Sequence, residues 1–111
     1  MSTWAYIYEH PGADPHADRS VLDRDGQRSL MVPVPDPGQA PAVAARLIDD
    51  DGVELIELCG GFPLVDAARV VEAVGDRVPV GHVTFAVEAI RSAAAYNAQF
   101  EQDAGRPRSA A

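Results

Sequence analysis

Three times along this chain a short apolar run is followed by apolar residues at helical spacing, and this alternation limits its folding more than any other feature. The run Leu30, Met31, Val32, Pro33, Val34 precedes Ala40, Val43, Ala44, Leu47 and Ile48, spaced i, i+3, i+4, i+7, i+8. The run 53–59 precedes 63–74, whose predicted apolar face is Leu64, Ala67, Ala68, Val71 and Val74. The run 78–83 precedes a last helix that Thr84 can cap and that is expected to bury Val87, Ile90, Ala94 and Phe100. Trp4, Ala5, Tyr6, Ile7 and Tyr8, aromatic and β-branched, form a first strand ahead of these repeats. Strands alternating with helices imply right-handed crossovers and parallel pairing. The expected fold is α/β: a small, mostly parallel four-stranded sheet with three main helices packed on it. So small a sheet leaves one apolar face for a second subunit.

Turn and cap residues set the boundaries. Asp25-Gly26 between two extended pieces predicts a hairpin excursion over 20–30, with a short helix over 15–23 as the competing reading. Pro33 lacks an N–H, which marks its strand as an edge or a bulge. Asp36 is a good N-cap with Pro37 behind it, and Gly52 suits the position after a helix end. Asp49, Asp50 and Asp51 oppose the dipole of the helix they close, so they do not stabilise it locally. A single α/β domain over 1–102 is expected, followed by a disordered tail over 103–111.

Composition removes several function classes. In 111 residues there are nine Arg and Lys against seventeen Asp and Glu, a formal charge of −8. That balance repels phosphate backbones and anionic lipid, so neither nucleic acid nor a membrane is an expected partner. Every basic side chain is an arginine, so no lysine can form a Schiff base. One cysteine excludes a disulfide framework and a multi-cysteine zinc site. Gly-x-Gly-x-x-Gly and Walker A patterns are missing, so no cofactor is expected. No metal is expected either, because no ligand spacing supports one; a site of Glu57, Cys59 and His82, or redox chemistry at Cys59, is the competing reading. The first residues show no basic, apolar signal sequence, and a cytoplasmic location is the default.

In parallel sheets, ligands sit at the carboxyl ends of the strands. Glu9 and His10 fall at the end of the first strand, Glu57 and Cys59 at the third, His82 and Thr84 at the fourth. Glu57 and Cys59, two apart, share one face of their strand. Glu57, Cys59, His10 and His82 are the candidate catalytic groups. Glu57 is a general base or acid if buried, or else a structural ion-pair member or an exposed side chain. Cys59 is a nucleophile or a small buried hydrophobe, and each histidine a proton carrier or a structural hydrogen-bonding residue. Gly60 and Gly61 let a backbone approach a ligand or merely turn it. Glu9, Gly60, Gly61, Phe62, Thr84 and Glu88 complete the candidate ligand-binding set, with Glu88 alternatively complementing its own helix dipole.

The stretch Trp4-Ala5-Tyr6-Ile7-Tyr8-Glu9-His10-Pro11-Gly12-Ala13-Asp14-Pro15 and the string Glu57-Leu58-Cys59-Gly60-Gly61-Phe62 resemble a family of small, mostly bacterial proteins, domain of unknown function 6506. Ala67-Ala68-Arg69-Val70 and Val78-Pro79-Val80-Gly81 extend the resemblance to about residue 85. It implies no catalytic residues. The expected function is acid–base chemistry of the isomerase, cyclase or lyase type on an anionic or carbonyl small molecule. The alternative is a non-catalytic ligand-binding or homo-oligomeric accessory module. A homodimer is expected in either case.

Overall fold

The computed structural model describes residues 1–104. Its elements are β1 (Ser2–Glu9), β2 (Ser20–Arg24), β3 (Gln27–Val34), α1 (Ala40–Asp51), β4 (Leu55–Leu58), α2 (Leu64–Val74), β5 (Val80–His82) and α3 (Ile90–Ala104). The sheet has five strands in the order β2-β3-β1-β4-β5. Pairings β3–β1, β1–β4 and β4–β5 are parallel, and β2–β3 is antiparallel. The fold is α/β, with a mostly parallel mixed sheet and three helices. The hairpin joins the sheet, and its first arm is the fifth strand. Its turn, Asp25 and Gly26, holds both residues at positive φ (54° and 81°), the type I′ signature that matches strand twist. The competing helix over 15–23 does not form.

Pro33 shows why a proline fits inside this sheet. The His10 N–H donates to the Val34 carbonyl at 2.8 Å, so Val34 turns its polar groups toward β1. Polar groups alternate sides along a strand, so Pro33 faces the other way. There β2 has already ended, its Ser20 standing opposite Met31. β3 is an interior strand at Leu30 and an edge at Pro33.

Topology also explains why one face is covered and the other open. The chain moves from β3 past β1 to β4, and on from β4 to β5, in one direction. Right-handed crossovers then put both connecting helices on one face, where α1 and α2 pack against each other. The step from β1 back to β3 runs the opposite way, and a helix there would cover the second face. Residues 10–19 and β2 take its place, so among the described residues the second face has no helix over it. Burial follows this division. Ala5, Ile7, Leu30, Val32, Val34, Ile56 and Leu58 face α1 and α2 and are inaccessible to water. Trp4, Tyr6 and Tyr8 alternate with them and are only half-buried.

Helix ends form largely where expected. The Asp36 carboxylate accepts from the Gly38 N–H at 2.9 Å, capping a short turn over 37–39 that runs into α1. Gly52 ends α1 in the left-handed region (φ 68°). Two of the three aspartates act at a distance: Asp51 pairs with Arg19 and Asp49 with Arg77, each at 3.1 Å. They tie the 10–19 connection and the loop after α2 to the end of α1.

Two expected burial patterns are corrected. In α2 the buried residues are Ala67, Val70 and Val74, whereas Leu64 is 78% exposed and Val71 half exposed. Apolar residues nearly encircle α2, so spacing alone did not orient it. Val87 and Ile90 stay exposed, because α3 does not join the layer formed by α1 and α2. The predicted cap at Thr84 is also absent. A turn over 87–89 starts from Ala86 without a side-chain cap, and α3 follows it. The tail expected over 103–111 begins within α3, which runs to Ala104; residues 105–111 lie outside the described residues.

Candidate functional site

The carboxyl ends of the parallel strands are held by backbone hydrogen bonds that extend the ladders. The Cys59 N–H donates to the Ile7 carbonyl and the Val83 N–H to the Leu58 carbonyl, both at 3.0 Å. After Cys59 the chain turns at Gly60-Gly61, where the Phe62 N–H donates back to the Cys59 carbonyl at 3.2 Å. A side chain at Gly60 would place its Cβ 2.8 Å from the Phe85 ring and 3.1 Å from the Val83 carbonyl oxygen. Glycine at 60 is therefore what lets the segment after β5 close over the turn. Gly61 has no such need, since a Cβ there would meet the Cys59 sulfur at an ordinary 3.7 Å.

Between this turn and α3 lies a cleft of about 410 Å³. Glu9, Cys59, Gly60 and Gly61 form one side, and Phe85, Ala93, Ala94, Tyr96, Asn97 and Phe100 the other. Its polar groups are a carboxylate, a thiol, an amide, a phenol and glycine backbone, set against aromatic and methyl surface. Of the sequence candidates, Glu9, Cys59, Gly60 and Gly61 come together here. Ala93, Asn97 and Phe100, at i, i+4 and i+7, are the half-buried stripe of α3. Sequence reasoning expected Phe100 on the inward side of this helix but missed Ala93 and Asn97, since small and amide residues at helical spacing carry no strong apolar signal.

The other candidates lie elsewhere. Glu57 is exposed on the open sheet face and lines a shallow hollow with Ser2, Trp4 and Leu55. It fits neither the buried acid nor the ion-pair member considered from sequence. His10 lines a separate hollow with Tyr8, Asp18 and Pro33, its Nδ1 3.1 Å from the Pro11 carbonyl oxygen. His82 alternates with Gly81 and so shares the helix-covered side with Val80; its Nε2 is buried without a hydrogen-bond partner. Phe62 is a core residue, 3% exposed. Thr84 and Glu88 are exposed and do not line the cleft. Among the described residues, no group of three His, Cys, Asp or Glu side chains is placed to hold a metal ion, and no helix is long and apolar enough to cross a membrane.

Tyr6 lies beside Glu57 in register and stacks on Tyr8 at 6.3 Å between ring centres. Burial pushes its phenol above the ordinary value near 10, and the negative charges of Cys59 and Glu57 push it the same way. The unfolded chain therefore loses this proton at lower pH than the folded one. Tyr6 costs no stability below about pH 10, and stability falls as pH rises from there toward the folded value. Absorbance titration near 295 nm is expected to show a late phenol, and Tyr6→Phe should remove it. Loss of a different phenol would refute this placement.

Fold and cleft define a class: an open, mostly parallel α/β sheet with its helix layer on one face and a small-molecule-sized cleft at the strand carboxyl ends. Within that class the chain belongs to the family of unknown function DUF6506, whose family model matches residues 2–98. No curated protein and no solved structure showed a match.

Proposed function

We propose that the cleft between the Cys59-Gly60-Gly61 turn and α3 binds a small anionic or carbonyl compound and moves a proton on it, in a reaction of the isomerase, cyclase or lyase type. The observation that carries this reading is the cleft itself. Its volume of about 410 Å³ suits a metabolite-sized ligand, and a few polar groups face an otherwise apolar wall. In this proposal Glu9 takes the role that the sequence suggested for Glu57. Its carboxylate removes a proton next to the carbonyl, glycine N–H groups hold the oxygen that gains charge, and Cys59 and Asn97 position the rest. The free cysteine suits a reducing compartment, so we place the protein in the cytoplasm.

The test is a panel of enolisable 2-oxo acids and ketones in D₂O, followed by proton NMR for exchange at the α-carbon. Exchange above the buffer rate, with amide shifts that include Gly60, Gly61, Ala93 and Asn97, supports the reading. Gly60→Ala is expected to weaken binding about tenfold or more, because its methyl drives the Phe85 ring out of place. No shift at these amides with any member of the panel would refute the proposal.

The accessory-module reading is favoured by a different observation, the sheet face without a helix layer. Fully parallel arrangements are almost always covered on both faces. We therefore also propose that the chain self-associates as a homodimer.

A further inference from the structure

The open sheet face carries the chemistry of its own occupant. Side chains there fall into rows set by the strand register: Ser20, Met31, Tyr6, Glu57; then Leu22, Ser29, Trp4, Leu55; then Arg24, Gln27, Ser2. Glu54 lies at one rim of the face, in the hollow with Trp4 and Glu57, and Asp18 at another, beside Tyr8 and Pro33. Within the rows themselves the charged side chains are Glu57 and Arg24, one of each sign. Neither side chain enters an ion pair within the chain among the described residues. Two copies of so acidic a chain repel through most of their surface and can meet where Glu57 of one faces Arg24 of the other.

The two charges are also placed for self-pairing. Glu57 lies one strand to one side of β1; Arg24 lies two strands to the other side and two rows away. The midpoint between them falls between β1 and β3 in the row of Trp4. There the indole N–H donates to the Ser29 hydroxyl at 2.6 Å. A two-fold axis between two stacked sheets, passing over this point at right angles to the Glu57–Arg24 line, sets each Glu57 opposite the partner's Arg24. From standard strand spacings of about 4.8 Å and about 3.3 Å per residue, the strands of the two sheets then cross close to a right angle. That is one of the two standard sheet packings. Taken over the strands' own lengths, the face is about 440 Å² at the same spacings. The rest of the ~800 Å² per partner of a stable interface falls to side chains standing off the sheet and to its rims.

The geometry points to a second copy of this chain as the occupant of the open face, in a symmetric dimer centred on Trp4 and closed by two Glu57–Arg24 pairs. It rests on the self-association proposed above and adds the surface and the pairing. The test is sedimentation together with emission from the chain's one tryptophan. Both charged residues are exposed, so their replacement leaves the core intact. Glu57→Arg and Arg24→Glu are each expected to weaken dimerisation about tenfold or more, and the double variant to restore it. Trp4 emission should shift to the red on dilution, as the dimer separates. A monomer at every accessible concentration would overturn both the self-association and this surface. If that monomer shielded Trp4, a segment of its own chain would be the cover. A dimer indifferent to both single changes, with unchanged Trp4 emission, would overturn the surface and leave self-association standing.

Discussion

Glu9→Gln is expected to lower α-proton exchange in the cleft by about 10²–10⁴-fold, the usual contribution of a positioned general base. Gln keeps the shape and can still hydrogen-bond, but it cannot take up a proton. Binding of the same compounds should survive within a few-fold, because the glycine turn and the aromatic wall are untouched. Glu57→Gln, measured alongside, is expected to leave exchange in place, since its carboxylate lies on the open face outside the cleft. Full exchange in Glu9→Gln would remove Glu9 from the proposed chemistry. A melting temperature recorded for each variant separates lost chemistry from lost folding.

The largest stability effect is expected at Ile7. It lies at the middle of the sheet, in register with Val32 on one side and Leu58 on the other, and is inaccessible to water beneath the helices. Ile7→Ala leaves a cavity whose walls belong to three strands and cannot easily collapse. The expected cost is about 2–5 kcal/mol. Against the ~5–15 kcal/mol that holds a typical domain together, this lowers the melting temperature by roughly 10–25 °C. A shift of only a degree or two would mean that the layers around β1 repack freely.

The backbone plan was legible because its signals are local. Apolar runs, the Asp25-Gly26 turn, the Asp36 cap and the Gly52 stop each act within a few residues, and each appears where the spacing put it. What depended on distant parts of the chain was not legible. Alternation put Glu57 and Cys59 on one side of β4, but nothing in their neighbourhood says which side the helices cover. That follows from strand order, because the return from β1 to β3 uses a hairpin arm instead of a helix. The orientation of α2 was hidden for a related reason: Leu64, Val65, Val70 and Val71 offer apolar surface in several directions, and only packing against α1 selects one. Half of the site was readable from the strand ends as Glu9, Cys59, Gly60 and Gly61. The other half comes from α3, whose Ala93 and Asn97 look like ordinary surface positions in sequence.

α3 supplies all of one side of the cleft but Phe85, yet none of its described side chains is buried. Such a helix is held to the domain by few contacts, so it samples undocked arrangements more readily than α1 or α2. The cleft exists only while α3 is docked, and ligand affinity then scales with the docked fraction. If α3 were in place about a tenth of the time, the apparent affinity would fall about tenfold below that of the assembled cleft. A ligand would in turn register as slowed amide exchange along α3, far beyond the few residues it touches. Substitutions on α3 that strengthen its seat against Gly60 should tighten binding without meeting the ligand at all.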